Sequence, residues 1–151
     1  MASFDVTATC LAIQTALQAL NLFIAVDVTR QTSPPLDGPY ATIWPSSAKV
    51  VEVTLTRTVE LHTLTVRLYR NQWSQDEQER VLESPRLAAQ VMDVFVGDFD
   101  LGGGIRNVDV GGQYGAALTV DFTDELTAMT PTHVADITVG LIVDGATNFA
   151  A

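Results

Sequence analysis

Cysteine and histidine are scarce in this sequence, which contains only Cys10, His62 and His133. A single thiol cannot form an intrachain disulfide, and one cysteine with two distant histidines is too small a ligand set for a four-coordinate zinc site. The chain also lacks a Gly-x-Ser-x-Gly elbow and a Walker-type phosphate loop. We therefore predict that the protein is not an enzyme and uses no metal or cofactor. A small hydrolase using Cys10 is the alternative, although a thiol on an apolar helix stripe is usually inert.

Basic residues are scarce as well, with 8 Lys and Arg against 18 Asp and Glu and a formal net charge of −10. This balance argues against binding to nucleic-acid phosphates and against docking on anionic membranes. The charge is also uneven, because residues 87–151 contain nine acids and only Arg106, which gives −8 of the −10. A field of one sign usually solvates a surface, but in an oligomer it could line a shared face or a channel.

Charged residues are absent between Val6 and Val26, so a membrane span or a signal sequence has to be considered. Polar residues interrupt this run and no Lys or Arg precedes it, which argues against both. The run instead predicts an amphipathic helix capped by Ser3 or Asp5, followed by a strand over residues 22–28. The predicted buried stripe comprises Val6, Cys10, Ile13, Leu17 and Leu20.

Residues 31–48 are rich in proline and contain two aromatic side chains, which predicts a long loop. A loop of this length in a compact domain is often functional, so we consider it a candidate docking loop. A surface loop packed down by Trp44 is the equally acceptable alternative. The candidate docking residues are Pro34, Pro35, Asp37, Tyr40 and Trp44.

Alternating apolar residues predict strands around residues 51–55, 64–69 and 117–122, and most clearly over residues 135–143. The phase change between the first two predicts a turn or bulge near residues 57–63. The Ser74 to Glu77 capping box and Ser84-Pro85 predict one kinked helix, or two nearly continuous helices, ending near Phe99. The glycines Gly111 and Gly112 predict a turn joining a strand over residues 105–110 to the strand over 117–122. We therefore predict one α+β domain over residues 1–151, with a mostly antiparallel or mixed sheet of about five to six strands packed against two main helices.

The segment from Asp98 to Asp109 overlays a calcium-binding loop at its first, third, sixth and last positions. The fifth position is Gly102, the ninth is Arg106, and the last is an aspartate where a glutamate is usual. These departures favour an acidic turn between a helix and a strand. A monomeric acidic, Ca²⁺-type binding module stays open as an alternative.

The chain resembles the tail terminator proteins of long-tailed, non-contractile phages over most of its length. The likeness lies in residues 41–45 before a strand, in the paired segments 51–57 and 65–70, in the helix after Tyr69, and in the late strand over residues 135–139. The resemblance implies a structural virion protein that forms a hexameric ring, caps the tail tube, ends its elongation and joins it to the head-side connector. A head-tail connector or a minor tail protein is the alternative within virion assembly.

The resemblance also implies the partners: further copies of this chain, the major tail tube protein, and a head-side connector or stopper protein. The protein would assemble in the host cytoplasm and reside at the head-proximal end of the tail, in a phage or a phage-like particle. DNA would pass through the ring without specific binding, and no membrane is involved. Carboxylates on the channel wall would repel DNA phosphates within a Debye length of about 8 Å. The candidate lumen carboxylates are Asp93, Asp98, Asp100 and Asp109, with solvation of an outer surface as the alternative.

Overall fold

The computed structural model describes residues 5–29, 39–71, 77–97, 107–127 and 130–146. The described chain has two helices and six strands, which confirms the predicted α+β class. The helices are α1 (Val6–Ala19) and α2 (Glu77–Gly97). The strands are β1 (Ala25–Asp27), β2 (Tyr40–Val53), β3 (Arg57–Asn71), β4 (Asn107–Val108), β5 (Thr119–Thr127) and β6 (Thr130–Ala146).

The strands form one mixed sheet in the order β1-β2-β3-β6-β4, in which β1 and β2 are parallel and the other pairs are antiparallel. Strand β5 also pairs with β6. Because β3 occupies one side of β6 along nearly its whole length, β4 and β5 must share the other side. The three long strands β2, β3 and β6 are therefore the frame on which the other elements lie.

Helix α1 begins where the sequence predicts, because the Asp5 side chain accepts a hydrogen bond from the Ala8 backbone N–H at 3.1 Å. Cys10, Ile13 and Leu17 are buried against the sheet, as predicted. The two ends of the predicted stripe differ, since Val6 is exposed and Leu20 only half-buried. The strand predicted over residues 22–28 is shorter, because only Ala25–Asp27 pairs with β2.

Helix α2 runs through Pro85 without interruption, which selects the single-helix alternative. Pro85 is exposed, while Leu87, Val91 and Phe95 are buried. The Arg70 guanidinium lies 3.2 Å from the Glu83 carboxylate and so links β3 to α2. The predicted Ser74 cap lies outside the described residues.

Both helices pack on one face of the sheet, which we call the helix face; the opposite face is the far face. Strand β3 contributes buried side chains to both, with Leu64 on the helix face and Leu61 on the far face. The phase change in the sequence instead falls between two strands, because residues 51–53 belong to β2 and residues 64–68 to β3. The predicted turn or bulge near residues 57–63 lies earlier, since Thr54 and Arg57 close the hairpin turn and β3 pairs with β6 without a register shift from Arg57 to Asn71. The irregularities lie instead in β2, between Pro45 and Ser47 and between Val50 and Glu52.

Two sequence predictions about loops are wrong. The predicted loop over residues 31–48 ends earlier, because β2 begins at Tyr40 and continues through Pro45. The predicted pairing of the strand near residues 105–110 with the strand near 117–122 is also wrong, since β4 and β5 each pair with β6. Gly111 and Gly112 belong to a loop between two strands that share a neighbour.

Candidate assembly surfaces

The outer half of the β2–β3 hairpin is exposed, with every β2 residue from Pro45 to Val50 accessible to solvent. The hairpin turns at Leu55 and Thr56. The Thr54 N–H donates to the Arg57 carbonyl at 2.8 Å, and the Thr54 hydroxyl accepts from the Arg57 N–H at 3.1 Å. These bonds fix a tight turn without glycine or asparagine, so sequence rules for hairpin turns miss it. The hairpin therefore presents a fixed end to solvent.

The two outer edges of the sheet differ in character. Beyond Thr42, the side of β2 that faces away from β3 pairs with no other strand among the described residues. This edge contains Pro45, two register irregularities and Lys49, all features that discourage pairing with a foreign strand. Strand β5 pairs with β6 over nine residues with no register shift, and its exposed residues include Phe122. Of the two edges, β5 is therefore the better template for an added strand.

An ion pair occupies the middle of the far face. Arg67 on β3 donates two hydrogen bonds to Asp136 on β6, at 2.6 and 2.9 Å. These hydrogen bonds raise the pKa of the Arg67 guanidinium above its already high ordinary value. The guanidinium carbon also lies 5.4 Å from the Trp44 ring centre, a cation–π distance. The sequence gives no signal for this cluster, because Arg67 and Asp136 meet only through the β3–β6 register.

The candidate docking residues have different positions. Tyr40 is buried and its hydroxyl donates to the Asp27 carboxylate at 2.6 Å, which joins the start of β2 to β1. Tyr40 is therefore a structural residue, and its assignment to a docking loop is wrong. Trp44 is a half-buried strand residue on the far face. Pro34, Pro35 and Asp37 lie outside the described residues.

The candidate lumen carboxylates also lie in different environments. Asp93 is exposed on α2, while Asp98 and Asp100 lie outside the described residues. Asp109 is only 3% exposed, and its carboxylate accepts from the backbone N–H groups of Gln113, Tyr114 and Ala116 at 2.6, 3.0 and 3.4 Å. Such a carboxylate anchors its own loop and does not present its charge on a wall.

Residues 109–118 connect β4 to β5 and lie across the far face; we call them the Asp109 loop. Asp109 donates its N–H to the Gly140 carbonyl at 2.7 Å, and Tyr114 donates its hydroxyl to Glu52 at 3.3 Å. The loop thus connects β6 with the outer part of the hairpin. An aspartate before two glycines could have signalled an Asx-type turn in the sequence. Because both Asp109 oxygens accept backbone hydrogen bonds, the last position of the alternative calcium-binding loop already has protein donors as its partners.

The described part of the chain contains no cluster of three or more His, Cys, Asp or Glu side chains arranged for a metal ion. Neither described helix is long and apolar enough to cross a membrane. Burial raises the pKa of the Cys10 thiol, which keeps this sulfur in its unreactive protonated form.

No protein-family model and no curated protein matches the sequence. Among solved structures, a chain from the virion of a native gene transfer agent particle shares the fold with a TM-score of 0.52 and 17% identity, over 89% of this chain and 86% of that chain. A second solved protein matches with a TM-score of 0.53 and 14% identity, over 95% of this chain and 93% of that chain. A sheath/tube terminator from an extracellular contractile injection system has a TM-score of only 0.45 and 10% identity, over 98% of this chain and 58% of that chain, which is too low to show a shared fold. The chain thus has the fold of a component of a gene transfer agent virion.

Proposed function

We propose that the protein is a structural component of a phage-tail-like particle. The observation that carries this proposal is the fold shared with a gene transfer agent virion chain over 89% of the sequence. Within such a particle, the protein forms a ring at the head-proximal end of the tail tube. There it ends tube elongation and joins the tube to the head-side connector.

The surfaces of the chain are compatible with a ring. Strand β5 has a regular outer edge at one side of the sheet, and the exposed half of the β2–β3 hairpin lies at the other. Two different surfaces on one chain allow head-to-tail contacts, which close into rings when the rotation between copies permits. The acidic balance further suits a protein that DNA passes without binding.

The first experiment tests the ring itself. The purified chain is measured by native mass spectrometry and negative-stain microscopy, alone and with the tail tube protein. We expect one closed ring of uniform copy number, six by resemblance, either alone or on the end of a tube. A chain that stays monomeric under both conditions would contradict the ring.

The second experiment tests termination. Tube protein is assembled in the presence and absence of this chain, and tube lengths are measured. We expect the chain to stop growth and to lie at one tube end, because a ring on the tube would cover the surface that adds the next subunit. Unchanged tube lengths, with a ring nevertheless formed, would favour a connector or minor tail protein.

A further inference from the structure

The end of the β2–β3 hairpin is unusually apolar for an exposed turn. Leu55 is 95% exposed, and Val53 and Val50 are 56% and 55% exposed. Turns of this kind usually carry polar residues or glycine. We call residues 53–57 the hairpin tip.

The hairpin tip is held in one shape before any contact is made. The hydrogen bonds between Thr54 and Arg57 close the turn, and Val53 pairs with Thr58 directly below it. A side chain presented on a fixed turn loses little conformational entropy on binding. Leu55 is thus suited to act as an anchor in a pocket.

An open cavity of about 440 Å³ lies at the end of α2, beside β4 and the first residues of the Asp109 loop. We call it the β4 groove. Its apolar wall is formed by Val96, Val108, Val110 and Ile142. Val96 and Val110 are exposed in the isolated chain. The hairpin tip of the same chain does not fill this groove, because Leu55 is almost fully exposed.

The charges of the two surfaces are complementary. The only charged residue of the hairpin tip is Arg57. The β4 groove belongs to the part of the chain that carries −8 of the net charge, and Asp93 lies one helical turn before Val96 on the same side of α2. Both Arg57 and Asp93 are exposed. An apolar anchor beside a cation therefore matches an apolar groove beside an acid.

We propose that the hairpin tip of one copy docks in the β4 groove of the next copy, with Leu55 in the groove and Arg57 against Asp93. This inference rests on the proposed ring and names the contact between its subunits. A second copy is the occupant because one chain carries both complementary surfaces on different elements, which gives a head-to-tail contact. It places Asp93 between subunits and not on the channel wall.

Cysteine cross-linking tests the contact directly. In a Cys10→Ala background, one tagged protein carries Leu55→Cys and a second, differently tagged protein carries Val110→Cys. We expect a disulfide-linked heterodimer when the two are mixed under ring-forming conditions and oxidised. The control partner carries Ala48→Cys, which lies in a different cavity beside β2. A missing cross-link to position 110, or an equally efficient one to position 48, would overturn the proposal.

Charge reversal supplies a second measurement. Arg57→Glu and Asp93→Arg should each lower the fraction of rings in native mass spectra by about tenfold, and the double variant should recover most of it. Leu55→Asp should also disrupt the ring, whereas Val28→Asp, an exposed apolar position on another part of the chain, should not. If rings still form with Leu55→Asp, the hairpin tip is not part of the contact between subunits, and the ring proposal itself is unaffected. Absence of rings in the unaltered protein would instead contradict the proposed function.

Discussion

Individual carboxylates in this protein have roles that depend on their local surroundings. Asp109, Asp121 and Asp93 belong to the same acidic region of the sequence, but Asp109 is buried while the other two are exposed. The three backbone N–H groups around Asp109 compensate the cost of burying its carboxylate. Composition counts all three as equal charges, and only the loop conformation distinguishes them.

Asp109→Asn should destabilise the chain by about 1–3 kcal/mol, because the amide side chain retains one acceptor oxygen and adds donors facing backbone N–H groups. The free energy of unfolding, measured by urea denaturation, checks this. Asp121→Asn is the matched control, since Asp121 is exposed and should change stability by less than about 0.5 kcal/mol. Equal effects of both substitutions would contradict the loop-anchoring role of Asp109.

The buried, hydrogen-bonded position of Tyr40 predicts that the stability of the fold depends on pH. Burial and the hydrogen bond to Asp27 raise the pKa of the Tyr40 phenol above its ordinary value of 10.0. A group whose folded-state pKa is raised stabilises the fold fully below the unfolded-state pKa and loses this contribution as pH rises beyond it. Tyr40→Phe should therefore be less stable than the parent at about pH 8, and the difference should shrink above about pH 10. A stability difference that stays constant to about pH 11 would contradict this assignment.

At the level of elements, β6 organises the domain because it pairs with β3, β4 and β5. Its alternating pattern is clear in the sequence, since Ala135, Ile137, Val139 and Leu141 are fully buried on the helix face. Gly140 points to the far face, where Ala116 of the Asp109 loop lies close above it. The glycine therefore allows the loop to lie flat on the sheet.

Gly140→Ala should destabilise the fold by about 1–3 kcal/mol, because an added Cβ would lie 2.7 Å from the Ala116 Cβ and 2.9 Å from the Ala116 carbonyl oxygen. Thermal denaturation measures the effect. Gly111→Ala is the control within the same loop, because a Cβ there meets nothing within 4 Å. If both variants melt at the same temperature, the close approach of the loop to Gly140 is not important for stability.

The accuracy of the sequence predictions varies with the range of the interactions involved. Helix α1 was predicted with its cap and its central buried residues, because capping and amphipathic spacing act within a few residues. The pairing of β4 was predicted incorrectly, because the glycines after it indicate a turn but not the neighbour of the strand. The Arg67–Asp136 pair was not predicted at all, and the turn of the hairpin tip lies before the predicted position near residues 57–63. The first joins residues far apart in sequence, and the second depends on a threonine hydroxyl that replaces the usual turn residues.

At the scale of the whole molecule, the uneven charge is the property most relevant to a ring. In a closed ring, each acidic residue is repeated once per subunit at the same height, which multiplies its field in the channel. The burial of Asp109 and the proposed interface role of Asp93 leave Asp98 and Asp100 as the lumen candidates from the sequence.

Replacing Asp98 and Asp100 by Lys should slow DNA passage through assembled particles while leaving folding largely intact, because the cations would bind DNA phosphates. DNA delivery is measured over a range of salt concentrations, and the defect should ease as screening grows. Asp98→Asn with Asp100→Asn should give a smaller defect, and Asp121→Lys tests whether any added cation has the same effect. Normal delivery by the lysine variant would contradict a channel-wall position.

The sequence by itself determined the α+β class, the amphipathic first helix, the alternating last strand and the acidic balance of the chain. These features follow from local spacing and composition, which are present before the chain folds. The tertiary structure alone decided which strands are neighbours and that β3 is buried on both faces. It also decided that Asp109 faces inward while Leu55 faces solvent. Those outcomes depend on the register between distant strands and on backbone N–H groups that a loop brings together, and neither exists until the sheet has formed.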